Sequence, residues 1–438
     1  MESFWVTWLG ALALVAIVLA WLLGRLYRCR DFLSWILLLC FALSLGFIWT
    51  KWYLSLDLAM YDASKYHYFA GQIAGLLKAD FWGNLPYTVK PYWAYTMPLG
   101  ILYFLFGVSE PLGQTLNAVI GLGVVLNLHR LAHLWFSPRI ADRTALLLAL
   151  YPYFWVLSGT LNRDQLIVFC ISRFFLALTE VGLKGERQSS FKDLVWLVGS
   201  LLYMTLLRPP LIILGGLALF VFWMTHPAAT LRRHWLLRMG RAMVIFSVLG
   251  LGGLSYLLCG RYYLNVSPIE RDVGRISQLD EMNARLRISE KAGSAYLKGV
   301  SYSSYEDVVQ IMPLATLYFL LSPLPWQVTS FKQALGLLDS FWLLWVYIHF
   351  LRGLRDLVGR QRRLGQALIT FLLLGVALSG VLQANASSAM RHRPMFTLLM
   401  FPVAVYGCRA LHKRQNLKKG RWHLPGGVPI PSQVLRPR

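Results

Sequence analysis

The sequence predicts an all-α, polytopic integral membrane protein. Three observations carry that prediction. The 438-residue chain is 57% hydrophobic and only 14% charged, with a mean hydropathy of +0.51, against ~25% charged residues in ordinary soluble domains. Its apolar runs extend for ~15–20 residues, the length a helix needs to cross lipid, and do not form ten-residue alternating segments. The Lys and Arg residues fall between those runs, in clusters that alternate along the chain.

The runs predict about eleven transmembrane helices near 5–24, 32–50, 111–133, 144–158, 164–181, 194–207, 209–225, 242–259, 337–351, 364–382 and 395–411. Arg25, Arg28 and Arg30 follow the first run directly, and no basic segment precedes it, so it reads as a retained helix. Two shorter pieces, 97–107 and 308–322, read as half-inserted, interfacial or re-entrant helices. The first covers ~16 Å at ~1.5 Å per residue, short of a ~30 Å core. Residues 1–411 form one transmembrane domain, and 412–438 a basic, disordered tail.

An odd number of spans puts the termini on opposite sides. The segments 25–30, 129–143, 182–193, 226–241 and 352–363 and the tail from 409 hold 26 of the 43 Lys and Arg. That side is therefore cytoplasmic, with the C-terminus inside and the N-terminus outside. The net charge of +23 is explained mainly by this topology, and not by a nucleic-acid partner. His129, His133, His226 and His234 then read as ordinary cytoplasmic loop residues. Five scattered cysteines, Cys29, Cys40, Cys170, Cys259 and Cys408, show no metal-ligand spacing.

Three outer loops, 51–95, 260–307 and 383–394, form the candidate active face, joined by the hinges "SGTLNRDQ" (158–165) and "LLRPP" (206–210). Charges that topology leaves unexplained gather there: Asp62, Lys65, His67, Arg163, Asp164, Arg208, Arg391, His392 and Arg393. Ionisable groups at membrane depth usually face a cavity or a partner. Arginines fork onto phosphate bidentately, so a lipid-linked phosphate suits such a cavity. Plainer roles stand beside this one. Arg163–Asp164 is either a local ion pair or helix cap, or part of the cavity. Arg208 either snorkels or binds phosphate, and Arg391 and Arg393 hold either lipid headgroups or substrate. Arg173 falls mid-span and needs an internal acid or a carbonyl.

Asp62 is the sharpest acid. It reads both as the N-cap of the helical stretch "ASKYHYFAGQIAGLL" and as a general base taking a proton from an acceptor hydroxyl. His67, five residues on, sits ~140° around a helix from it, so the two need not cooperate. Tyr66, Tyr68, Phe69, Phe81 and Trp82 read as an interfacial aromatic belt or as stacking surfaces for sugar rings.

The order "YDASKYHYFAGQIA", "MPLGILYFLFG" and "ALLLALYPYFWVLSGTLNRDQLIVF" resembles the polyprenyl-phosphate-dependent glycosyltransferases of the GT-C superfamily. Asp62 with Tyr66 and Ala70, Pro98-Leu99 with Phe106-Gly107, and Pro152, Ser158, Leu161 and Asp164 carry the match, which runs through about the first 225 residues. "LLRPP", "LLSPLPW" and "MRHRP" are similar to outer Arg-bearing helix ends of bacterial polysaccharide-assembly proteins. The long loop 260–307 is similar to loops of O-antigen and exopolysaccharide polymerases.

The resemblance implies a bacterial inner-membrane enzyme. It would move a sugar or oligosaccharide from undecaprenyl phosphate or pyrophosphate to a glycan or lipid-linked acceptor outside the cytoplasm. Asp62 would be catalytic, and Lys65, Tyr66, His67, Arg163, Asp164, Arg208, Arg391, His392 and Arg393 would bind substrate. Ala63 stands where the family pairs a second acid with the first. No residue is therefore assigned as a metal ligand, although the family leaves room for a divalent metal. The alternatives are a polymerase joining lipid-linked repeat units, and a transporter or flippase of a lipid-linked anion.

Overall fold

The computed structural model describes residues 2–55, 62–88, 92–184, 190–225, 279–291, 295–328, 331–383 and 385–418. The expected span 242–259, His226, His234 and the tail beyond 418 lie outside the described residues.

The described chain is a helical membrane protein. Six helices are long and apolar enough to cross a bilayer: α1 (Glu2–Cys29), α2 (Phe32–Tyr53), α5 (Glu110–Trp135), α8 (Asp164–Lys184), α13 (Phe331–Arg360) and α14 (Arg362–Leu382). A last helix, α16 (Phe401–Lys418), packs along α13.

Between these lie shorter pieces. They are α3 (Ala63–Ala79), α4 (Trp93–Phe106), α6 (Pro138–Ala149), α7 (Pro152–Ser158), α9 (Phe191–Leu207) and α10 (Leu211–Met224). Later come α11 (Leu279–Lys291), α12 (Tyr305–Leu321) and α15 (Ala386–His392).

The run expected as one span at 144–158 is a bent pair. α6 and α7 meet at 69°, because Pro152 has no N–H to continue the first helix and pushes Tyr151 out of the helical region; Tyr151 is extended at φ −75°, ψ 111°. Arg208, Pro209 and Pro210 break α9 from α10 in the same way. At 14 residues, α10 covers ~21 Å. α4, also 14 residues with Pro98 inside it, is equally short.

Helix α5 is the central post, with 72% of its most apolar window buried, against 22% for α1. It is capped by Ser109, whose hydroxyl accepts from Leu112 N, and polar pins tie it to α8. Trp135 Nε1 donates to Thr179 Oγ1 at 3.0 Å, and Asn127 Nδ2 to Ser172 Oγ at 3.1 Å.

At the α13–α16 crossing, a Cβ on Gly353 would stand 2.2 Å from the Val403 carbonyl oxygen, and one on Gly407 2.1 Å from that of His349. Small residues permit this close approach, which dispersion rewards in lipid. Gly407→Leu is therefore expected to separate the two helices and lower the unfolding temperature measured in detergent.

Arg393 lies inside the bundle. It is fully buried and pairs with Asp339 of α13 at 2.7 Å. It also donates to the Leu320 carbonyl at 2.8 Å, and the Tyr151 hydroxyl donates to Asp339. Removing one partner strands a buried charge, so Asp339→Ala is expected to destabilise the fold by about 3–5 kcal/mol in detergent unfolding measurements. A coupled change of both partners to well-packed apolar residues is expected to recover most of that loss.

Candidate active site

The site forms where four chain breaks meet: the start of α3, the 159–163 turn before α8, the α9–α10 break, and the α15 segment after α14. Asp62 occupies the N-cap position of α3 but does not cap it. Its backbone is helical (φ −90°, ψ −4°) and its side chain makes no cap hydrogen bond. The carboxylate turns instead to Arg391, whose Nη1 donates to Oδ2 at 2.8 Å, while Lys65 Nζ stands 3.6 Å from Oδ1.

Asp164, the first residue of α8, is almost fully buried and accepts from Arg391 Nε. It does not pair with Arg163. One guanidinium therefore bridges two carboxylates from distant parts of the chain, and its Nη2 reaches the Tyr66 hydroxyl at 3.4 Å.

A polar layer behind these groups fixes them. Tyr66, fully buried, stacks edge-on with Tyr92 and Tyr95 at 5.3 and 5.1 Å. Tyr95 donates to Asn117 Oδ1 at 3.2 Å. Asn117 Nδ2 holds the carbonyls of Thr160 and Asn162 at 2.7 and 2.8 Å. Asn162 Oδ1 in turn accepts from Gln165 N at 3.0 Å, so the turn that presents Asp164 is pinned to α5. Satisfied buried networks of this kind hold one geometry.

Arg163 donates to the Leu207 carbonyl at 2.9 Å, lies over the Tyr92 ring at 5.3 Å, and keeps a buried Nε with no partner among the described residues. Arg208 reaches Met395 Sδ at 3.4 Å. His392 has an enclosed Nδ1, likewise without a partner among the described residues. Burial, with Arg208, Arg391 and Arg163 nearby, pushes its imidazole well below the usual range. It is therefore neutral at pH 7 and offers hydrogen bonds without adding charge. Arg391, Arg163, Arg208 and Lys65 thus gather in one region with the Asp62 and Asp164 carboxylates, and a cluster of arginine N–H donors of this kind suits a phosphate.

Partial burial of Asp62 works to raise its pKa. The hydrogen bond and charge of Arg391, with Lys65 and Arg163, outweigh this and hold the carboxyl below its ordinary value. A depressed carboxylate contributes stability that is complete above the unfolded pKa and is lost as pH falls through the folded one. The same pairing makes Asp62 a weak base until Arg391 is drawn away.

Two expected residues lie apart. His67 turns to α4, where its Nδ1 meets the Tyr103 hydroxyl at 2.9 Å, consistent with its ~140° offset from Asp62. Arg393 is committed to Asp339, as described above. Of the expected aromatic belt, Tyr68 and Trp82 are exposed while Tyr66 is buried. Sequence reasoning passed over Asp339, Tyr92, Asn117 and Asn162. Asp339 carried a usable signal, being a lone acid in the apolar run "LGLLDSFWLLW".

The segment around α11 packs beside the start of α15 and α12. Ala295 bridges Asn385, Asn283 clamps Tyr302 at 2.8 and 2.7 Å, and Tyr296 stacks on Tyr318 at 5.2 Å.

A divalent ion shared by Asp62 and Asp164 does not fit this arrangement, because the Arg391 guanidinium already lies between the two carboxylates. Among the described residues, no three His, Cys, Asp or Glu side chains gather as a metal-ligand set.

No protein-family model matches the chain, and no curated protein does. Among solved structures it is similar to the archaeal oligosaccharyltransferase AglB from Archaeoglobus fulgidus, determined in complex with an inhibitory peptide and a dolichol-phosphate. The TM-score is 0.50 at 13% identity, over 91% of this chain and 53% of the other. The chain thus spans about half the length of that protein, and at this identity the likeness is one of fold. The chain is a multi-pass membrane protein with the GT-C fold.

Proposed function

We propose that this protein is a glycosyltransferase. It takes a sugar or oligosaccharide from an undecaprenyl phosphate or pyrophosphate carrier and gives it to an acceptor on the outer face of a bacterial inner membrane. The product would serve cell-surface polysaccharide assembly. The N-terminus is outside and the C-terminus cytoplasmic. The observation that carries this reading is the Asp62–Arg391–Asp164 bridge in the neighbourhood of Arg163 and Arg208, in a GT-C bundle.

The chemistry is a displacement at the sugar C1. The donor phosphate settles on Arg391, Arg163 and Arg208, and draws Arg391 from Asp62. Asp62 regains basicity and takes the proton of the acceptor hydroxyl. The acceptor oxygen bonds to C1, the C1–O bond to phosphate breaks, and its electron pair leaves on the phosphate oxygen. The arginines neutralise that charge in a water-poor site, where such stabilisation is large. Asp164 keeps Arg391 oriented throughout.

The test uses the purified protein in proteoliposomes with a polyprenyl-phosphate-linked sugar. The reading expects glycan transfer; lipid-linked sugar that changes leaflet with no transfer would replace it with a flippase. Arg208→Ala is expected to raise the KM for donor at least tenfold with little change for acceptor, whereas an equal effect on both would assign Arg208 to the headgroups.

The pH profile tests the exchange of Arg391. The acid limb of kcat/KM reports the free protein, and that of kcat the bound complex. The first is expected to lie at lower pH, because Arg391 holds Asp62 down until phosphate binds. Coincident limbs would show that Asp62 and Arg391 stay paired.

A further inference from the structure

Far from this site, the other ends of α1, α2, α5 and α8 enclose a cavity of about 410 Å³. Arg173 and Glu180 lie 9 and 16 residues along α8 from Asp164, roughly 14 and 24 Å away along the axis. Arg25, His129, Arg130, His133 and Arg173 line the cavity, with apolar contributions from Leu33, Leu126 and Leu176. His129 and His133, expected in a loop, sit instead on the last turns of α5.

Among the described residues, the arginines here are unevenly paired. Arg25 is matched by Asp31 at 2.8 Å, and His129 by Asp142 at 3.0 Å. Arg130 and Arg173 share one carboxylate, Glu180, at 2.7 and 3.6 Å. Neither of those contacts is aligned as a hydrogen bond: Glu180 Oε1 and the buried Arg173 Nε have no hydrogen-bond partner among the described residues. Arg173, packed under the Trp196 ring at 4.6 Å, thus brings to membrane depth a guanidinium that shares its one acid with Arg130 and keeps a buried Nε without a hydrogen-bond partner among the described residues. Such a group is costly unless something anionic meets it.

We infer that this cavity binds the phosphate-bearing headgroup of a membrane lipid, with Arg130 and Arg173 on the phosphate and the acyl chains leaving past the leucines. A phosphate gives the two arginines a second anion and takes the N–H donors that a single shared carboxylate leaves unused. The apolar residues beside it favour a lipid over free phosphate. The site is independent of the proposed transfer reaction.

The test is a titration of the full-length protein in neutral detergent, following its unfolding temperature. The probes are dioctanoyl phosphatidic acid, dioctanoyl phosphatidylcholine and inorganic phosphate. Phosphatidic acid is expected to stabilise the protein saturably, at least tenfold more tightly than either other probe. Arg173→Gln and Arg130→Gln are each expected to weaken it tenfold or more. The exposed side chain of Arg130 keeps the test open if Arg173→Gln does not fold. Arg208→Ala, at the opposite end of the bundle, is expected to leave this affinity unchanged. Unaltered affinity in both glutamine variants, or loss only in Arg208→Ala, overturns the site. Inorganic phosphate binding as tightly as phosphatidic acid overturns its assignment to lipid.

Discussion

Asp62→Asn is expected to lower the transfer rate by at least ~100-fold while the protein still folds, since a positioned general base typically contributes about 10²–10⁴. The substitution is nearly isosteric, and its amide oxygen still accepts from Arg391 Nη1. It removes only the charge and the basicity. The fold is expected to lose about 1–2 kcal/mol, because a neutral amide accepts from the guanidinium more weakly than a carboxylate does. Measured transfer in proteoliposomes, set beside the unfolding temperature in detergent, separates the two effects. Transfer within a few-fold of wild type would show that the acceptor loses its proton elsewhere, and the mechanism above would fall.

Arg391→Lys is expected to cost about 10²–10³ in transfer, although it keeps the positive charge. A lysine ammonium is a point donor. It cannot reach Asp62, Asp164 and Tyr66 together as the planar guanidinium does. Arg391→Ala goes further and leaves the almost fully buried Asp164 without its cation. About 3–5 kcal/mol of stability is expected to go with it, the usual cost of stranding a buried charge. Arg391→Gln combined with Asp164→Asn removes both charges, so it should recover stability and still not transfer. Recovery of transfer in that double variant would show that Arg391 serves the fold alone.

The helical membrane class, and the convergence of distant loops, were legible because each has a local cause. Apolar run length sets spans, and the side on which Lys and Arg collect pairs the loops. Asp62, Asp164 and Arg391, 102 and 227 residues apart in turn, were each conspicuous as charges at apolar run ends. Other features were not legible. Nothing near Arg393 in the chain distinguishes it from Arg391, two residues earlier. A helix rotates such a pair by ~200°, so one faces the cleft and the other enters the core toward Asp339. The break at Tyr151-Pro152 could be placed from proline chemistry, but its 69° bend depends on what each half packs against.

The sequence by itself determined the solvent this protein lives in, the helical solution that lipid imposes, and the charges that could not be idle. Each follows from short-range chemistry: hydrophobic length, proline geometry and the cost of an ion in hydrocarbon. Only the tertiary structure decided which charges meet. It gave Arg391 to two carboxylates, Arg393 to Asp339, and Glu180 to two arginines. Ion pairing at these sites depends on distances of a few ångströms between residues far apart in the chain, and only packing sets those distances.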